Sequence, residues 1–295
     1  MTGKNNNSMK KICILGKGYI GAFLEKKLIE GKLDVMCLKR SDLDYTSPYH
    51  LRSFLQAHKD ELECVINCSG YTGFPNVDGC ETNKQDCWFW NVKTPSNIAA
   101  ACNLTDISVI NVSSGCIYTG YDKIYSETDV PNFGMYSDSS SFYSKSKHAC
   151  EINLDGWNVY TLRIRMPFDG TNMHKNYINK IYNYKKLINM PNSVTSVDDL
   201  TNFILKFLFI YKHLPVGPYN IVNEGAVSAT DIIELFKAHN IADQGWEFVD
   251  MSKLDIVAGR SNCILSTEKI RSFSLGLPSA KESLELEISK YAKLL

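Results

Sequence analysis

The sequence has no excess of charge of either sign: 32 lysines and arginines stand against 32 aspartates and glutamates. A chain of zero net charge has no overall attraction for nucleic acid or for acidic membranes, so neither is expected as a partner; a local basic pocket remains compatible. Long apolar runs are also missing. Phe203 to Ile210 is the longest, interrupted by Lys206 and far short of the ~18 residues that a membrane helix needs. Residues 1–10, rich in Asn and Lys, hold no apolar signal core, and a cytoplasmic protein is expected. Ten cysteines are present but no Cys-x-x-Cys pair, and only Cys64 and Cys68 approach zinc-ligand spacing. Several, such as Cys13, Cys37 and Cys64, sit in strand-like runs as small buried hydrophobes. The cysteines are read as reduced, and no metal is expected. Asp198-Asp199 fits a helix start better than a cation site.

What is present is a mix of 44% hydrophobic and 22% charged residues over 295 positions, enough for one large domain or two ordinary ones. Residues 1–9 read as a loose tail. Strand-like and helix-like segments then alternate: strands near 11–15, 34–38, 64–68, 108–112 and 159–164, helices near 20–29, 48–58, 86–103 and 142–153. That rhythm predicts an α/β fold, a Rossmann-type doubly wound parallel sheet. After Pro167 strands become sparser, with helices near 176–186, 200–211, 231–239 and 281–295 and a strand near 219–222. The expected organisation is a dinucleotide-binding domain at 10–166 and a smaller C-terminal α/β substrate-binding lobe at 167–295.

Gly16-Lys17-Gly18-Tyr19-Ile20-Gly21 follows the first strand and opens the first helix, as the dinucleotide fingerprint requires. The glycines serve, in order, a tight turn, approach of the pyrophosphate to the backbone, and close helix–strand packing. The helix start offers free N–H groups and partial positive charge to phosphate. About 20 residues on, where an NAD site carries an acid, the chain has Lys39-Arg40. Two cations suit a 2′-phosphate, so NADPH (NADP+) is the expected cofactor. Asn67, Ser69 and Gly70, at the end of the third strand, are candidates to meet the cofactor ribose.

Tyr143 and Lys147 lie four apart, on one helical face. A phenol titrates near 10, and an ammonium one turn away favours its ionised form. Ser114, after the fourth strand, would give a third hydrogen bond to a carbonyl oxygen being reduced. These elements together resemble the extended short-chain dehydrogenase/reductase family.

Longer segments narrow the resemblance. Asn67-Cys-Ser-Gly-Tyr-Thr-Gly-Phe-Pro-Asn-Val-Asp78, Ser114-Gly-Cys-Ile-Tyr118, Ser141-Phe-Tyr-Ser-Lys145, Leu162-Arg-Ile-Arg-Met-Pro167, Met190-Pro-Asn-Ser193 and Gly259-Arg-Ser-Asn262 are similar to the 3,5-epimerase/4-reductase part of plant-type UDP-rhamnose synthases. More distant likenesses are dTDP-4-dehydrorhamnose reductase and GDP-fucose synthase. The resemblance implies conversion of UDP-4-keto-6-deoxy-D-glucose to UDP-L-rhamnose with NADPH, in a homodimer supplied by a separate 4,6-dehydratase. It also implies that Cys116 acts in epimerisation and that Lys180 matches a catalytic lysine. His174, which titrates more conveniently, is the alternative but lies upstream of the matching position. Cys116 is two residues beyond Ser114, so in an extended chain both side chains point the same way. Substrate contacts are expected from Thr72, Asn76, Asn192 and Arg260, with Asp78 and Ser193 nearby. Arg163 and Arg165 are further candidates, although arginines alternating on one strand more often pair with carboxylates. Two other readings are a reductase acting only on an already epimerised dTDP- or UDP-keto-sugar, and a non-catalytic NADP-binding regulatory subunit.

Overall fold

The computed structural model describes residues 9–295; all but the last residue of the expected tail lies outside that range, and Met9 packs against the core. Five strands, β1 (Lys11–Leu15), β2 (Val35–Leu38), β3 (Leu62–Asn67), β4 (Ser108–Ser114) and β5 (Val159–Ile164), with β6 (Gly217–Asn220), form one parallel sheet in the order β2-β1-β3-β4-β5-β6. The order reverses between β1 and β3, and such a switch point opens a crevice at the carboxyl ends of those strands.

Side chains alternate across the sheet, and both faces are covered, which is why the strands read as continuous apolar runs. On one face Ile12, Ile14, Ile66, Ile110 and Leu162 pack with Leu24 and Leu28 of α1 (Tyr19–Glu30). On the other, Cys13, Leu15, Val65 and Val109 meet three helices: α2 (Pro48–His58), α3 (Thr94–Asn103) and α4 (Phe142–Leu154). All ten cysteines are free thiols, seven of them buried.

Two elements from the range 167–295 pack with the first sheet. Leu200, Phe203, Ile204 and Phe207 of α6 (Val197–Phe207) recur at helical spacing and pack into the same core as α1, and β6 pairs with β5. A cut at 166/167 would therefore strip the sheet of its sixth strand and of a covering helix. What remains apart is a third core built from Phe168, Val194 and Val227, with α5 (Tyr177–Asn183), α7 (Ala229–Ala238) and α8 (Ala280–Ala292). Asp198 and Asp199 occupy the first turn of α6, behind its Ser196 cap.

The helix expected at 86–103 is interrupted. A π-helical turn, Phe89–Lys93, separates Lys84–Trp88 from α3. Pro95 explains it: proline has no N–H and its ring clashes with the carbonyl four residues back, so the helix widens at Asn91. The bulge leaves the Asn91 amide buried.

Arg163 of β5 does pair with a carboxylate. Its guanidinium holds Glu151 of α4 at 2.6–3.1 Å, and both side chains are nearly buried. Removing one partner of a buried pair leaves the other charge uncompensated. Glu151→Gln is expected to cost about 3 kcal/mol, read as a lower denaturant midpoint at unchanged slope.

Candidate active site

The crevice at the switch point is a cleft of about 590 Å³. Its floor is the glycine motif. Gly16 has φ +98°, and a Cβ there would lie 2.8 Å from the Ser69 amide. A Cβ on Gly21 would lie 2.1 Å from the Gly16 carbonyl, so the third glycine packs helix on strand and stays out of the cleft. Gly18 faces open space and caps α1 without any side-chain hydrogen bond to the first amides. An uncapped helix start opening on a cleft fits a diphosphate. Tyr19 and Ile20 line the same wall, as do Ser69 and Gly70.

Lys39 and Arg40 line the far end, with Tyr45 and Trp90. The Arg40 guanidinium lies over the Trp90 ring, 5.7 Å from its centroid. No acid occupies the expected ribose position, which fits a phosphorylated ribose. Asn67 does not reach the cleft: it is buried, its Nδ2 donating to Asn111 Oδ1 at 2.8 Å while its Oδ1 accepts from the Ser69 amide and hydroxyl. Its amide is used up in orienting Ser69.

Ser114 is the last residue of β4, Tyr143 the second of α4, and Lys147 stands one turn on; all three line the cleft. Ser141 caps the helix through the Ser144 amide, and Glu81 accepts from the Phe142 amide at 2.6 Å. The Lys147 Nζ is buried 5.7 Å from the Tyr143 ring centroid and 3.5 Å from where a Cβ on Gly70 would sit. The expectation that the ammonium would favour the phenolate is not met. Desolvation dominates, pushing the Tyr143 phenol up, with the nearby Cys116 adding to it and a Ser114 hydrogen bond partly offsetting it. Burial likewise lowers Lys147. The phenol is thus held protonated, the form that donates to a carbonyl oxygen.

Cys116 also lines the cleft, but not through an extended strand. β4 ends at Ser114, the chain turns, and the Cys116 amide donates back to Ser114 Oγ at 3.2 Å. Lys180 of α5 faces the same space, and burial, helped by Lys175 and Arg260, lowers its pKa. His174 lies outside the cleft, exposed, its ring tilted against Phe74 with centroids 5.5 Å apart and its Nε2 3.3 Å from the Pro75 carbonyl.

The outer wall departs most from expectation. Thr72 and Arg260 line the cleft. Arg260, however, is engaged by Asp78 through a fork of two 2.9 Å bonds, and Asp78 also accepts from the Ala258 amide. Asn76 caps a turn through the Asp78 amide. Asn192 is buried, accepting from Arg165 at 2.6 Å and donating to Asn262, while the Ser193 hydroxyl accepts from the Leu265 amide. Neither Asn76 nor Asn192 reaches the cleft. Arg165 is fully buried and turned inward, donating to the Gly115 carbonyl, Ser261 and Asn192, with Nη1 3.8 Å from Cys116 Sγ. It pins the turn that carries Cys116. Trp90, Tyr71 and Ser261 line the cleft without any signal in local spacing. Asn91, which holds the Tyr71 backbone from behind, announced itself only through the proline four residues on.

The chain matches the family model described as RmlD substrate binding domain over residues 9–292. It belongs to that family. Among its relatives is a trifunctional UDP-glucose 4,6-dehydratase/UDP-4-keto-6-deoxy-D-glucose 3,5-epimerase/UDP-4-keto-L-rhamnose-reductase of Arabidopsis thaliana, 32% identical over 93% of this chain and 41% of that protein. The chain thus spans about two-fifths of the length of that relative. A bifunctional dTDP-4-dehydrorhamnose 3,5-epimerase/dTDP-4-dehydrorhamnose reductase of the same plant is 36% identical over 75% of this chain and 74% of its own length. The fold is shared with the UDP-rhamnose synthase of Acanthamoeba polyphaga mimivirus (TM-score 0.84, 24% identity, 96% of this chain and 100% of that one). It is shared too with the dTDP-4-dehydrorhamnose reductase of Bacillus anthracis in complex with NADP (TM-score 0.80, 21% identity, 94% and 98% of the two chains). Among the described residues no helix is long and apolar enough to cross a membrane.

The Arg260 hydrogen bonds hold Asp78 below the ordinary carboxylate range, against the opposing effect of partial burial. A carboxyl depressed on folding contributes stability that is present above its unfolded pKa and lost as pH falls through the folded value. Asp78→Asn is therefore expected to cost about 1 kcal/mol at neutral pH, with the deficit shrinking as pH falls below the ordinary carboxylate range. Urea unfolding across pH measures it; a deficit of constant size would contradict the ion pair.

Proposed function

We propose that the chain is an NADPH-dependent 4-keto-sugar-nucleotide reductase that also epimerises C3 and C5, taking UDP-4-keto-6-deoxy-D-glucose to UDP-L-rhamnose. The observation that carries this reading is the meeting of two sets in one cleft: Ser114, Tyr143 and Lys147 with Cys116 and Lys180. The relatives' names supply the sugar, and the uncapped helix start with Lys39 and Arg40 supports the phosphorylated dinucleotide. A homodimer, and a 4,6-dehydratase activity that forms the ketone, belong to the same reading.

The 4-ketone acidifies hydrogens on both neighbouring carbons. Removing one builds negative charge on the carbonyl oxygen, and Ser114 and Tyr143 can donate to it. Cys116 and Lys180 move the carbon-bound protons. Lys180, held below the usual lysine range, keeps more of its amine neutral, as a base requires. Bound NADPH supplies the hydride for the 4-position. Tyr143, its phenol pushed up chiefly by desolvation, gives its proton to the same oxygen, and Lys147 would hold the nicotinamide ribose.

In deuterated water with the keto-sugar, wild type should place deuterium at both C3 and C5 without a helper epimerase. Cys116→Ala should cut that exchange by about 10²-fold or more while still reducing a pre-epimerised keto-sugar, and Tyr143→Phe should block hydride transfer. Equal exchange by Cys116→Ala removes the thiol from the chemistry; reduction with no exchange in wild type leaves a reductase only. For the cofactor, Arg40→Ala should weaken NADPH binding about tenfold and leave NADH unchanged, read by fluorescence titration.

A further inference from the structure

The far end of the cleft carries two cations that no carboxylate neutralises. Among the described residues neither Lys39 nor Arg40 is within ion-pair distance of an acid. Two acids follow closely in the chain, but both are turned to their own loop. Asp42 accepts from the Lys39 amide at 2.8 Å and from the Ser41 hydroxyl at 3.3 Å. Asp44 accepts from the amide and the hydroxyl of Thr46. Short acidic side chains are readily spent in this way on a neighbouring backbone N–H.

Arg40 meets a ring instead. Its guanidinium carbon lies 5.7 Å from the centroid of Trp90, and both residues line the cleft. A ring attracts a guanidinium through its quadrupole and leaves the positive charge and the N–H fork available to an anion. Trp90 is itself well held. It stands in the π-helical turn Phe89–Lys93, packs against the apolar core that α2 and α3 cover, and meets the Phe89 ring edge-on at 5.4 Å. π-turns of this kind recur at functional sites. An exposed arginine has wide rotamer freedom, and a side chain already placed before binding loses less of it when an anion arrives.

We propose that Trp90 is a positioning residue for cofactor selectivity: by stacking on Arg40 it presets the guanidinium for a 2′-phosphate and so favours NADPH over NADH. The proposal rests on the NADPH reading above and adds to it a residue outside both the glycine motif and the end of β2. A Trp90 that served packing alone would, when removed, weaken both dinucleotides alike.

The test is isothermal titration of the full chain with NADPH and with NADH. Trp90→Leu should bind NADPH about fivefold more weakly and NADH as wild type does. Trp90→Phe, which keeps a ring face, should stay within about twofold of wild type for NADPH. The platform matters only while the guanidinium is present, so Arg40→Ala/Trp90→Leu should bind NADPH no more weakly than Arg40→Ala alone. Should Trp90→Leu fail to fold, Trp90→Met takes its place. Equal loss of both dinucleotides, a defect in Trp90→Phe as large as in Trp90→Leu, or additive losses in the double variant would each overturn the proposal. A wild type that binds NADH as tightly as NADPH would sink the cofactor reading itself, whereas wild-type selectivity in Trp90→Leu would overturn only the role given to Trp90.

Discussion

A buried ammonium one helical turn from a desolvated phenol is the constraint on which the cleft depends. Neither group gains from burial: each is pushed toward its neutral form. Their placement is enforced by neighbours that carry no chemistry of their own. Ser141 and Glu81 fix the start of α4, and the Asn91–Ser146–Cys87 cluster backs the turn on which Lys147 stands. Pre-set donors of this kind lose nothing to reorganisation when charge develops on a bound oxygen.

A carbonyl oxygen becomes negative whether a neighbouring carbon loses a proton or the carbonyl carbon gains a hydride, so one donor pair can serve both steps. In the proposed scheme, what separates the two reactions is the supply of proton-transfer groups around the ring. The fold brings the two proposed groups to the cleft from different elements: Cys116 from the turn after β4, Lys180 from a helix of the smaller lobe. Arg165 and the Asp78–Arg260 fork hold the turn and the outer wall in register with that lobe.

The fold was largely legible because its signals are local. Apolar runs gave five strands, and the glycine motif and the Tyr-x-x-x-Lys spacing lie on single elements that could not place their residues elsewhere. What eluded the sequence depends on distant partners. Asn67 meets Asn111, 44 residues on; Asn192 meets Asn262 across 70; Arg260 meets Asp78 across 182. Asn67 and Asn192 looked free to meet a ligand until a neighbour claimed them, while Arg260 lines the cleft with Asp78 already on its guanidinium. Cys116 reaches the cleft by a turn instead of an extended strand, and Arg165 became an internal pin. That α6 and β6 return to the first sheet after a long excursion has no local signal in the sequence.

The most direct test of a single oxyanion site is Ser114→Ala, followed with NADP+ for C5 hydrogen exchange and with NADPH for reduction of a pre-epimerised keto-sugar. Loss of one donor from a shared site should slow both rates by similar factors, on the order of 10²-fold. A variant whose reduction collapses while its exchange stays at the wild-type rate would show that the two reactions use different oxygen-binding groups, and would contradict the account.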